Sequence, residues 1–144
     1  MGAKERRQQV VKEIVRSAKP STQADVARML LGRGFDVTQT TVSRDLAELN
    51  VHKGHDGAYE LAEDTHLKRM CRDLVVSVER SANLVVVKAS AGTAQGVAAA
   101  LDGAAEEGIL GSVAGDDTIL VVASDEVAGE RLRRMLGDYC GKDK

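Results

Sequence analysis

Three times between Lys4 and Leu49 the apolar residues return at helical spacing, and each return ends in a break. Val10, Val11, Ile14, Val15 and Ala18 follow the i, i+1, i+4, i+5, i+8 rhythm of one helix face, which predicts a helix over residues 4–18. Pro20 stops it, and Ser21 or Thr22 can cap the next helix, with Thr22 and Asp25 spaced as a capping pair. That second helix runs to about Leu31 with Val26, Ala27 and Leu30 inward, and Gly32 and Gly34 end it. The third fits QTTVSRDLAEL behind Thr38 as cap. VHKG and AYEL then read as short strands around the turn signal HDG, His55 to Gly57. Three short helices followed by a β-hairpin are the pattern of a winged helix-turn-helix, predicted over residues 1–62.

At about 100° per residue, Val42, Leu46 and Leu49 of the third helix fall on one side, and Thr40, Ser43, Arg44 and Ala47 on the other. The outward face is small and hydrogen-bonding, with one long cation. Such a face suits a DNA major groove: Arg44 can bond bidentately to guanine, Ser43, Thr40 and Thr41 can reach bases or phosphates, and Ala47 leaves room for a thymine methyl. The same pattern also describes an ordinary solvated helix. The hairpin tips the balance toward DNA, because a wing can lie along the phosphate backbone and place Lys53, His52 and His55 there.

Residues 63–73, EDTHLKRMCRD, are polar and mixed in charge and read as a linker, in part helical. Beyond them the apolar period changes. Leu74–Val78 and Leu84–Lys88 read as strands, Thr93–Ala105 as a helix, ILGSVAG and TILVVAS as strands, and Asp125–Tyr139 as a final helix. The order ββαββα over residues 74–144 predicts an α+β domain with a sheet covered on one face by helices, so the chain as a whole is of mixed α/β class. Only 2% of residues are aromatic, so the cores are built from Val, Leu, Ile and Ala. Small cores of that kind gain stability by association. The middle helix, TAQGVAAALDGAA, is small or apolar on nearly every side, and Ala98, Ala99 and Ala100 point in successive directions; this predicts a second packing surface, between subunits.

Residues 1–62 carry ten Lys/Arg and eight Asp/Glu, a net +2, and residues 63–144 carry ten and fourteen, a net −4. The two halves therefore suit different partners. Cys71 and Cys140 are far apart with no CxxC, as two reduced thiols would be, and the three histidines have no ligand spacing, so no metal is expected. The longest uncharged stretch, Ala89 to Leu101, has 13 residues, short of the ~18–20 that span a bilayer. With no apolar core in MGAKERRQQ for a secretion signal, the expectation is a cytoplasmic protein without membrane association.

GSVAGDDTILVV, Gly111 to Val122, sets two adjacent carboxylates against a strand that enters a core. Either they hold a surface turn or they wait for a cation. An enzyme using Asp116 and Asp117 as a metal or acid–base pair is disfavoured, because neighbours on a strand point to opposite faces.

Taken together, TTVSRDLAEL, LVVVKASAGTAQGVAAALD and ILGSVAGDDTILVV resemble the bacterial arginine repressor family, in the right order and over almost the whole chain. The resemblance implies a DNA-binding N-terminal domain and a C-terminal domain that forms trimers and then hexamers. L-arginine would bind between trimers as co-repressor, with no other cofactor. It implies repression of arginine biosynthesis from operator double-stranded DNA and, in many members, activation of arginine breakdown; the alternative is a regulator of the same architecture that senses another amino acid. It assigns DNA reading to Ser43 and Arg44 and effector binding to Gln95, Asp102, Ser112, Ala114, Asp116 and Asp117. Ala89 and Ala91 stand where the family often has Thr and Pro, and Ser112 where it often has Thr, which keeps a hydroxyl.

Overall fold

The computed structural model describes residues 2–104 and 107–141, so Ala105, where the middle helix is predicted to end, lies outside the described residues. The chain divides into two compact units, Met1–Thr65 and His66–Lys144.

The first unit holds α1 (Ala3–Ser17), α2 (Gln23–Gly32), α3 (Gln39–Glu48) and the antiparallel hairpin β1 (Val51–Lys53) and β2 (Tyr59–Leu61). The capping residues do what their chemistry allows. The Thr22 side chain accepts from Asp25 N at the start of α2, and Thr38 accepts from Thr41 N at the start of α3. The apolar faces meet in one core of Val11, Ile14, Val15, Val26, Leu30, Val42, Leu46 and Leu61, so the wing is anchored through Leu61.

The second unit is built on β3 (Val75–Ser81), β4 (Leu84–Ala89), β5 (Ile109–Ala114) and β6 (Thr118–Ala123), all antiparallel in the order β3-β4-β6-β5. Helices α5 (Ala94–Ala104) and α6 (Glu126–Tyr139) pack on this sheet. Strand alternation sorts the side chains: Val85, Val87, Ile119, Val121 and Ala123 are buried toward the helices. Their neighbours Leu84, Val86, Leu120 and Val122 line the other face and are cross-strand partners, Leu84 with Val122 and Val86 with Leu120. Val113, paired with Leu120, extends that apolar strip and is 72% exposed.

Two expectations change. The segment predicted as a polar linker is a continuous helix, α4 (Ala62–Leu74), which crosses the division between the units. Its charges mask an apolar pair one turn apart, Leu67 and Cys71, both buried in the core of the second unit. The all-round apolar character of α5 is also largely used within its own chain. Ala94, Val97, Ala98, Ala100, Leu101 and Ala104 are buried, and a Cβ on Gly96 would stand 3.2 Å from the Met70 methyl of α4. Of the three successive alanines only Ala99 is exposed.

Candidate functional site

In the first unit Thr40, Ser43, Arg44 and Ala47 share the exposed face of α3, opposite Val42 and Leu46. Thr41 is different: it is half-buried, and its backbone N–H and hydroxyl both meet the Thr38 hydroxyl, so it belongs to the cap. Lys53 is exposed on β1, but its ammonium donates to the Ser21 carbonyl and lies 5.2 Å from the Tyr59 ring centre. His52 meets the Thr65 hydroxyl at 2.9 Å, and His55 is exposed in the turn.

What periodicity missed on α3 is Asp45. It lies next to Arg44 in sequence and is only 1% exposed. Arg7 of α1 grips it with two parallel bonds, Nε to Oδ2 at 2.6 Å and Nη2 to Oδ1 at 2.9 Å, and Gln8 adds a third at 3.1 Å. Burial alone pushes the Asp45 carboxyl up; the Arg7 and Gln8 bonds outweigh it and hold the group below the usual carboxylate range. The same contact raises Arg7 above its ordinary value. A planar two-bond pair fixes direction as well as distance, so α1 sets how α3 presents Arg44. A hint was in the sequence: Asp45 sits between Val42 and Leu46 on the inward side, where a lone carboxylate demands a partner.

In the second unit Asp116 and Asp117 lie in the bend between β5 and β6, not on a strand. Strand alternation therefore does not separate their carboxylates, and that ground for setting them apart falls away. The bend is tied down through its backbone: the Asp116 carbonyl accepts from Ala94 N at 3.2 Å and the Asp117 carbonyl from Ala89 N at 2.7 Å. The first bond ties the bend to the first turn of α5, where Gln95 is also exposed, and the second ties it to the end of β4. Lys88 donates to the Thr118 hydroxyl at 3.0 Å, and that hydroxyl donates to Asp117 Oδ1 at 2.9 Å.

Asp102 follows Gln95 by seven residues on the exposed stripe of α5, about 10 Å farther along. There the Ser112 hydroxyl of β5 donates to Asp102 Oδ1 at 3.1 Å. Ala114, half-buried, pairs with Ile119 and so faces the helices. Within one chain the acids thus form two exposed groups, one at each end of an open helix face. Such a face can hold cationic ligand ends by charge-assisted bonds but cannot exclude water from them. Among the described residues no three of His, Cys, Asp and Glu are grouped to hold a metal ion.

The family description "Arginine repressor, DNA binding domain" matches residues 3–67, and "Arginine repressor, C-terminal domain" matches residues 71–138. The chain belongs to the arginine repressor family. It is 41% identical to the arginine repressor of Symbiobacterium thermophilum, over 93% of this chain and 97% of that one. It is 44% identical to that of Carboxydothermus hydrogenoformans, over 83% and 87%. It is 42% identical to that of Thermus thermophilus, over 92% and 87%. The two family matches are separated inside α4 by residues 68–70, close to where the chain divides into its two units.

Proposed function

We propose that the chain is an arginine-dependent transcriptional regulator that binds operator DNA through α3 and its wing and represses arginine biosynthesis. It acts in the cytoplasm as a trimer that pairs into a hexamer. The observation that carries the sensing half is the acid bend tied to the first turn of α5. An arginine ligand offers a guanidinium and an ammonium. Asp116 and Asp117 at one end of the α5 face and Asp102 at the other can accept from both, with Gln95 and Ser112 as further partners and Ala114 lining the strand beside them. One chain leaves these groups exposed to water, so a second copy closes the site, and ligand binding and assembly favour each other. The apolar strip on the free sheet face supports self-association, as does the exposed Ala99 stripe of α5. The chain acts by binding, without catalysis.

Operator binding with and without L-arginine, with solution mass measured alongside, tests this reading. Arginine should raise operator affinity and the hexamer fraction together; lysine, ornithine and citrulline should not. A response to one of those instead assigns the chain to a regulator of another amino acid.

For the DNA half, Arg44→Ala should lose ~1–3 kcal/mol of discrimination between operator and random sequence while keeping its oligomer. An unchanged preference places base reading elsewhere. Lys53→Ala should weaken all sequences alike and flatten the salt dependence.

For assembly, the buried Ala98 is the wrong probe, because Ala98→Glu puts a charge into the chain's own core. Ala99→Glu is the right one: light scattering should show smaller species with the same far-ultraviolet dichroism. A fully hexameric Ala99→Glu would remove the α5 stripe from the interface.

A further inference from the structure

The end of the sheet opposite the acid bend carries a second charged feature of the reverse sign. The Asn83 carbonyl accepts from Ala123 N, and the Gly108 carbonyl from Ser124 N, which close this end of the sheet, whereas Lys88 and Thr118 pair at the acid end. Here Arg80 on the edge strand β3 faces the outer side of α6 across a groove of about 530 Å³, lined by Arg80, Glu126, Val127, Glu130, Arg131 and Arg134. The α6 residues recur at i, i+1, i+4, i+5 and i+8, one continuous helix face.

Glu130 at its floor is oversubscribed. It accepts from Arg80 Nε at 3.1 Å, from Arg133 Nε and Nη2 at 2.8 and 2.7 Å, and from Arg134 Nε at 3.0 Å. One carboxylate therefore faces three guanidiniums. Its own carboxyl is held far below the ordinary range, by the Arg133 bonds first. Arg131 adds a fourth guanidinium with no ion-pair or hydrogen-bond partner among the described residues. The groove's own lining has three positive groups, Arg80, Arg131 and Arg134, and two negative ones, Glu126 and Glu130, a local +1 in a half of the chain that is −4 overall. Like charges held this close repel unless an anion joins them. Beside them Val127 is 72% exposed.

We propose that this groove binds a phosphate-bearing small molecule, with phosphate oxygens against Arg131, Arg134 and Arg80 and the organic part over Val127. A phosphate chain offers many acceptor oxygens in the fork geometry that guanidinium prefers, which a single carboxylate cannot match. The groove volume suits a small ligand. The acidic surroundings disfavour the approach of a long polyanion such as duplex DNA, while a compact one is drawn to the local positive field.

Calorimetric titration of the full chain in low salt, with inorganic triphosphate and with ATP as probes, tests the assignment. Saturable binding at one site per chain is expected. Arg131→Ala combined with Arg134→Ala should weaken it tenfold or more, while Arg131→Lys combined with Arg134→Lys retains most of it. Both arginines are on the exposed side of α6, so the double variant should keep its dichroism spectrum and its L-arginine titration, which reads the other end of the sheet. Absence of saturation with both probes overturns the proposal, as does equal binding by the alanine variant. Loss of affinity for operator-free duplex in that variant, without triphosphate saturation, would assign the phosphates to DNA and equally overturn the small-molecule site.

Discussion

Asp117→Asn and Asp116→Asn are each expected to fold, to assemble and to lose the response to L-arginine. Folding should survive because the bend is held by the backbone carbonyls of the two residues, bonded to Ala94 N and Ala89 N, which the substitutions leave in place. In Asp117→Asn the new amide oxygen would also still accept from the Thr118 hydroxyl. What is lost is charge. Hydrogen bonds to charged groups are worth ~1.5–3 kcal/mol, so arginine affinity should fall about 10- to 150-fold. Effector coupling is typically ~1–3 kcal/mol, or about 5- to 150-fold in operator affinity; in either variant it should shrink toward one. Calorimetry with L-arginine and operator binding at matched salt read the two effects separately. Parental arginine affinity in both variants would reduce the acids to a turn and move the effector site away from them.

The largest effect on stability should come from Arg7→Ala. Asp45 would then be a buried carboxylate without its cation, and breaking such a pair costs ~3–5 kcal/mol. That is a large share of the ~5–15 kcal/mol that holds a domain of ordinary size. Arg7→Met combined with Asp45→Leu should recover most of the loss, because the desolvation cost vanishes with both charges. The pair also sets a direction with pH. A carboxyl whose folded pKa lies below its unfolded one contributes stability that is fully present above the unfolded value and is lost as pH falls through the folded one. The DNA-binding unit should therefore weaken below the ordinary carboxylate range in the parent, and the Met/Leu variant should show a shallower acid slope. Thermal melts between about pH 2 and pH 7 (a span chosen around the ~3.9 of an ordinary Asp) decide it. Equal slopes in parent and double variant would show that the acid sensitivity lies in other carboxylates.

The pattern of elements is legible because each is announced locally. Thr22 and Thr38 cap helices from the positions their spacing indicates, and the change from helical to alternating apolar period falls where the sheet begins. Legibility fails where a residue's partner lies far along the chain. Asp45 is 38 residues from Arg7, and a helical wheel shows only that it faces inward. The α4 segment reads as a linker because its charges outnumber its two core residues. On α5 the small residues signal close packing correctly, but the packing is mostly to its own sheet and to Met70, and Ala99 alone of the three alanines is left for a partner. Motif similarity marks Asp116 and Asp117; it does not reveal that their carbonyls stitch the bend to α5 and to the end of β4, nor that Lys88 and Thr118 stand behind Asp117.

The helix shared by both units decides where the protein can be cut. Arg16 holds Asp64 with two bonds at 2.9 and 3.1 Å, so the first turn of α4 belongs with the DNA-binding fragment. Leu67, three residues later, is 1% exposed and belongs with the sheet. A sensor fragment that starts at Leu74, the last residue before the strands, discards Leu67 and Cys71 and opens a hole in its own core, at a cost of the kind seen when large buried side chains are removed. One that starts at His66 keeps both. The usable seam is short, at Thr65 and His66, and it lies inside a helix, just past its first turn, where no loop invites a protease.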